Sequence, residues 1–219
     1  MNKSSSSQQT MVSALIKSMF GSAYKLSLFV LISIMLLLTV RYFTSPVITL
    51  AENQTLLNTF NQVLPIDLYN NDPLTDTKKI TNPVMLARLG AESPVTFYRA
   101  RKNKQPAGLI FTVTAPNGYS GDITLLIGVL PDGRVSGVRV LKHKETPGLG
   151  DKIELNKNPW ILEFNGRNVR HDNDSNWAVK KDGGDFDQFT GATITPRAVI
   201  GAVKNALMFI NEHGDSLYE

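Results

Sequence analysis

The chain has 219 residues, 42% hydrophobic and 19% charged, enough for one ordinary domain and an appendage. It contains no cysteine. That excludes disulfides, thiolate zinc sites, Cys-ligated iron–sulfur clusters, thiol nucleophiles and acylation at cysteine. Lys3, Lys17 and Lys25 lie in a 40-residue opening stretch that holds no acid, and the remainder is close to neutral, so the net charge of +4 is no sign of nucleic-acid binding.

Residues 1–13 are rich in Ser and Gln and are expected to be poorly ordered. Leu26 to Val40 then reads LSLFVLISIMLLLTV, without a charge, between Lys25 and Arg41. As a helix this run spans roughly 22 Å, short of the roughly 30 Å hydrocarbon core. Snorkelling Lys25 and Arg41, with interfacial Tyr24, Tyr42 and Phe43, extend it to a span over residues 23–43. A cleaved signal peptide is the competing reading. It lacks a small-residue cleavage site, Thr44-Ser45-Pro46-Val47 being a poor substitute, so a retained anchor is favoured. Three lysines precede the span and only Arg41 closely follows it. The positive-inside rule therefore places residues 1–22 in the cytoplasm as a tail and residues 44–219 outside.

Leu56, Leu57, Phe60, Val63 and Leu64 recur at helical spacing up to Pro65. Residues 66–92 are polar and turn-rich, and no element is assigned to them. Strands are expected over 95–100, 108–114, 123–130 and 134–141, the last two joined by Pro131-Asp132-Gly133, a hairpin signal. A final helix is expected from Thr195 or Pro196 to about His213, with Thr195 as N-cap and Pro196 in the first turn. Its apolar stripe is Ala198, Val199, Ala202, Val203, Ala206, Leu207 and Ile210. Antiparallel strands with flanking helices make an α+β fold. Residues 44–95 form its helix-and-linker region and residues 96–219 its main domain.

Two constellations could carry chemistry. In Asp187-Gln188-Phe189-Thr190-Gly191-Ala192-Thr193-Ile194-Thr195-Pro196, Gly191 and Ala192 leave room for a large ligand, and Thr193 supplies an esterifiable hydroxyl. The helix starting nearby offers free N–H groups and a positive dipole end to a phosphate. Alone, this turn reads more simply as a hydroxyl-rich helix cap. Lys142-His143-Lys144-Glu145-Thr146-Pro147-Gly148-Leu149-Gly150-Asp151 is a shaped loop that could wrap a planar ring, and alone it reads as a surface turn.

Taken together, in this order and behind one apolar helix, the motifs resemble the FMN-binding domain family of the Rnf and Nqr respiratory complexes. The likeness is greatest to the G subunit of the Rnf electron-transport complex. It covers nearly the whole chain, including Gly118-Tyr119-Ser120-Gly121, the Glu145–Gly150 loop and Asp187–Val199. It implies an antiparallel-sheet FMN-binding domain over residues 96–219, with FMN joined through its phosphate to Thr193. It also implies a flavin transferase that attaches FMN from FAD outside the cytoplasm, reading Asp187, Thr190, Gly191, Ala192 and Thr193. The cofactor-binding set is then Glu145, Thr146, Leu149, Gly150, Thr190, Gly191 and Ala192. The partners implied are the other subunits of an ion-translocating ferredoxin:NAD oxidoreductase at the bacterial inner membrane, with the main domain periplasmic. The compact outer domain favours Rnf over the C subunit of a sodium-translocating quinone reductase.

Nothing marks a catalytic residue, and the expected role is electron carriage. The contrasting reading is a membrane-anchored interaction or assembly module without a redox cofactor. His143, His171 and His213 lack metal-ligand spacing and read as surface residues. Asp182, Asp185 and Asp187 lack a full calcium-loop pattern, and no metal is expected. Trp160 and Trp177 could pack on a flavin, with core packing the simpler expectation. Lys204 could approach the phosphate, though a solvated lysine is simpler.

Overall fold

In the computed structural model, which describes residues 4–169 and 174–219, the first element is helix α1, Ser4–Val63. The Ser/Gln tract expected to lack order is therefore helical from Ser4, and the helix expected around Leu56–Leu64 is the end of α1. The chain divides into two compact units, residues 1–54 and 55–219.

In the first unit, Ala23–Ser45 is long and apolar enough to cross a membrane, with a mean hydropathy of 2.2. Its large side chains, such as Leu26, Phe29, Met35 and Leu37, are exposed along the helix. Ser33 and Thr39 donate their hydroxyls to the carbonyls of Phe29 and Met35 at 2.9 and 2.7 Å. Such internal bonding keeps polar groups satisfied where no water is present.

The second unit is built on a five-stranded antiparallel meander: β1 Thr77–Ile80, β2 Val95–Lys102, β3 Gln105–Ala115, β4 Ile123–Val129 and β5 Val135–Lys142, in that spatial order. The four expected strands are all present. The fifth, Thr-Lys-Lys-Ile, is a short charged edge strand lacking the alternation by which strands are recognised. It lies in the unassigned 66–92 stretch, as do a 3-10 turn at Ile66–Leu68 and helix α2, Pro83–Arg88, capped by the Asn82 side chain. The β2–β3 turn places Asn103 and Lys104 both at positive φ, the conformation that two-residue hairpins require.

One sheet face packs against helix α3, Ile194–Tyr218. Phe209 of α3 stacks near Phe97, which stacks on Phe111, at centroid distances of 6.0 and 4.5 Å. The other face receives Phe60, Val63 and Leu64 from the end of α1, over Ala100, Ile110 and Leu126. Their close seating needs Gly128, where a Cβ would lie 2.4 Å from the Val63 carbonyl oxygen. Beyond β5, 3-10 turns at Gly150–Ile153 and Pro159–Phe164 close the α3 side of the core.

The expected N-cap of the last helix is corrected. Thr193 is the N-cap, and Thr195 is the second residue of α3, fully buried. The helix also runs past His213 to Tyr218, where Arg101 donates to the Tyr218 carbonyl at 2.6 Å.

Candidate functional site

The segment leading into α3 is held from beneath by aromatic side chains. The Trp160 indole N–H donates to the Asp187 carbonyl at 2.8 Å, and its ring meets Phe189 edge-on at 5.1 Å. Asp187 N–H reaches a carboxylate oxygen of Glu163 at 3.3 Å. Burial, with the nearby Asp187 charge adding to it, holds the Glu163 carboxyl above the usual range. From this anchor the chain turns: Ala192 N–H donates to the Phe189 carbonyl at 3.0 Å, with Gly191 at φ +79°. This third turn position with positive φ is one that glycine fills without strain. The turn delivers Thr193 to the end of α3. Its side chain makes no capping hydrogen bond, so the hydroxyl is not spent on the helix. The first N–H groups of α3 have no partner within the helix, and its dipole is positive there.

The second segment follows β5. The Thr146 carbonyl accepts from the N–H groups of Leu149, Gly150 and Asp151 at 3.1, 3.1 and 3.4 Å, winding the loop tightly. Glu145 is 4% exposed. One of its oxygens accepts from Ser120 N–H at 2.9 Å, and the other from the Thr195 hydroxyl. A Cβ on Gly150 would lie 2.8 Å from the Glu145 carboxylate and 2.9 Å from the Thr195 hydroxyl, so this contact needs glycine. Glu145 N–H donates to His143 Nδ1 at 3.0 Å, which leaves the ring proton on Nε2, directed at Glu154 at 2.8 Å.

The two motifs, far apart in sequence, thus form one cavity of about 540 Å³ lined by Tyr119, Glu145, Thr146, Leu149, Gly150, Gly191, Ala192, Thr193, Ile194 and Thr195. A volume within about 300–1,000 Å³ suits a cofactor-sized ligand. Tyr119, Leu149 and Ile194 offer exposed apolar surface for a flat ring. Of the expected residues, Glu145, Thr146, Leu149, Gly150, Gly191, Ala192 and Thr193 come together. Thr190 and Asp187 do not line the cavity and are exposed on the approach to it. Tyr119, Ile194 and Thr195 line it although sequence reasoning gives them no binding role. Tyr119 carries one signal, its place in the Gly118–Gly121 turn.

Other candidates resolve into structure. His143 is half-buried in hydrogen bonds, not a surface group, and His213 stacks on Phe209 at 4.6 Å. His171 lies outside the described residues. Trp160 and Trp177 are core residues whose indole N–H groups bond the Asp187 and Asn168 carbonyls, so neither lines the cavity. Asp182, Asp185 and Asp187 pair with Arg197, Arg167 and Lys180 at 2.6, 3.1 and 2.5 Å. No cluster able to hold a metal ion occurs among the described residues. Lys204 bonds the Asp174 carbonyl at 3.2 Å, about 16 Å along the helix from Thr193 at the ordinary helical rise.

The fold and cavity define the class: the FMN-binding domain family matches residues 118–208, which include both motifs and most of α3. Over most of its length the chain is also similar to the G subunits of the ion-translocating oxidoreductase complexes of several bacteria. It is 47% identical to that of Pseudoalteromonas atlantica over 193 residues, 88% of each chain. It is 47% identical to that of Vibrio cholerae over 76% of this chain and 78% of the relative, and 44% identical to that of Pseudomonas aeruginosa over 92% of each. The chain belongs to this family, the G subunits of the Rnf ion-translocating oxidoreductase complexes.

Proposed function

We propose that this membrane-anchored electron-transfer subunit of the Rnf complex carries its FMN as a phosphoester on Thr193, with the ring in the adjoining cavity. Electron transfer within that complex and FMN binding follow from the family; the linkage and its residues are our reading. One observation carries it. The uncommitted hydroxyl of Thr193 stands at the positive end of α3 and on the wall of the cavity made with the Glu145–Gly150 loop. Of the neighbouring hydroxyls, Thr195 is buried against Glu145 and Thr190 does not line the cavity.

A flavin accepts one or two electrons and so can link carriers of different stoichiometry. The chain's own residues hold and orient it. The free N–H groups of α3 receive the phosphate. Gly191 and Ala192 let it lie close to the backbone, while Leu149, Tyr119 and Ile194 cover apolar ring surface. Thr146 is placed to meet a polar ring edge. A covalent link keeps the cofactor from escaping into the periplasm, where the positive-inside rule places residues 44–219. A flavin transferase makes that bond, reading the exposed Asp187 and Thr190 together with Gly191, Ala192 and Thr193. The other subunits of the complex supply and remove the electrons.

Mass spectrometry of protein purified from native membranes is the direct test. The peptide containing Thr193 should carry the mass of FMN less water, and a fluorescent flavin band should persist on a denaturing gel. Thr193→Val should abolish both; Thr190→Val removes a residue the transferase reads but keeps the acceptor hydroxyl, so any flavin it still gains should map to Thr193. A band surviving Thr193→Val refutes the assignment. Folded wild-type protein without flavin, from membranes containing the transferase, would favour an interaction module instead.

A further inference from the structure

We infer that Glu145 is a positioning residue that also holds down the reduction potential of the flavin, because its carboxylate is a buried charge without a cationic partner on the cavity wall. This rests on the proposed attachment at Thr193. Both oxygens of Glu145 are satisfied by neutral donors, the Ser120 N–H and the Thr195 hydroxyl. Among the described residues no lysine, arginine or histidine lines the cavity, and Glu145 is the one acid that does. Of the basic residues in and near the two motifs, Lys180 pairs with Asp187 and Arg197 with Asp182, while Lys142 and Lys144 of the loop are exposed and form no ion pair with Glu145 among the described residues. His143 directs its N–H at Glu154 and accepts from Glu145 only through the backbone. No ion pair therefore neutralises the carboxylate, the positive end of α3 offsets it only in part, and a buried field is screened far less than one in water.

Uptake of two electrons and one proton by an oxidised flavin gives a product with one net negative charge. The electrons come from a reduced carrier of the complex, which is oxidised by two electrons, and the proton comes from solvent. A fixed negative charge beside that product disfavours it relative to the neutral oxidised form. The equilibrium shifts toward the oxidised side, and the potential falls. Charge near the ring is one of the means by which a protein adjusts its flavin. The same carboxylate joins the Ser120 turn, the loop and α3, which fixes its distance from any ring in the cavity.

The test uses full-length protein purified in detergent from cells that contain the transferase. Wild type, Glu145→Gln, Glu145→Asp and Thr195→Val are titrated with dithionite at pH 8 in the presence of a redox dye of known potential, while the flavin and dye absorptions are followed. Covalent flavin is confirmed by mass and folding by thermal melting. Glu145→Gln keeps a polar group of similar shape but removes the charge. It should raise the reduction equilibrium constant at least tenfold, about 30 mV for a two-electron couple. Glu145→Asp, which keeps the charge, should stay near wild type. Thr195→Val removes a hydrogen bond that offsets the charge, and should lower the potential. An unchanged potential in folded, flavinylated Glu145→Gln overturns the inference, as do equal shifts in the Gln and Asp variants. If Glu145→Gln does not fold, Thr195→Val decides: a potential at or above wild type overturns the inference. Wild type lacking covalent flavin overturns the attachment itself, and with it this inference, and is told apart by mass alone.

Discussion

Thr195 and Gly150 show how closely the site is built around one carboxylate. A buried charge is tolerated only when its oxygens are hydrogen-bonded, and Glu145 obtains its partners from two other segments. Gly150 is the spacer that permits this. Gly150→Ala should place a methyl within 3 Å of both the Glu145 and Thr195 oxygens, costing about 1–3 kcal/mol as overpacking does. Urea unfolding of the variant against wild type measures it, and an unchanged midpoint would show that the loop gives way freely. At this scale the sequence is readable for residues whose role follows from their own chemistry. Thr193 is marked by its hydroxyl directly after the small pair Gly191-Ala192. Thr195 reads as a cap in the sequence because only the fold shows that its hydroxyl meets Glu145. His143 and the two tryptophans are ambiguous for the same reason: an imidazole or indole suits both a ligand site and a core, and its neighbours decide.

The 3-10 turn at Pro159–Phe164 is the element that positions the motif, although it contributes nothing to the cavity wall. Replacing Trp160 by Phe keeps an aromatic ring but deletes the bond to the Asp187 carbonyl, worth about 1 kcal/mol. Hydrogen exchange in the peptide covering Phe186–Thr193 should speed up while β3 and β4 keep their protection; equal protection in both proteins would remove this turn from the account. Helix α3 has the opposite role, tying the site to the core. Phe209→Ala should cost about 3–5 kcal/mol, read from chemical denaturation, because the ring is fully buried beside Phe97. The long apolar strands and the α3 stripe are legible in the sequence, since periodicity records which face is buried. Strand β1 is not: its lysines mark an edge, and pairing with β2 alone makes it a strand.

Across the whole outer unit, Asp76 links the sheet edge to the end of α3. It bonds Arg99 at 2.5 Å and Arg101 at 2.7 Å, and Arg101 in turn holds the Tyr218 carbonyl. Burial opposes ionisation of Asp76, but the hydrogen bonds and charges of Arg101 and Arg99 outweigh it and hold the carboxyl below the usual range. A depressed acid contributes stability that is present above its unfolded pKa, about 4, and is lost as pH falls through the folded value. Thermal melts should therefore drop between about pH 5 and pH 2 more steeply for wild type than for Asp76→Asn; parallel profiles would show that the pairs contribute no pH-dependent stability. The sequence by itself determined the apolar span, four of the five strands, the last helix and the resemblance to an FMN-binding family. These rest on local periodicity, hydropathy and motifs contiguous in the chain. Only the tertiary structure decided that Glu145 meets Thr195, that Tyr119 and Ile194 complete the cavity, and that Trp160 supports its floor. The residues of each such contact come from segments tens of positions apart, and no local pattern records which partners the packing of sheet and helix will bring within hydrogen-bonding distance.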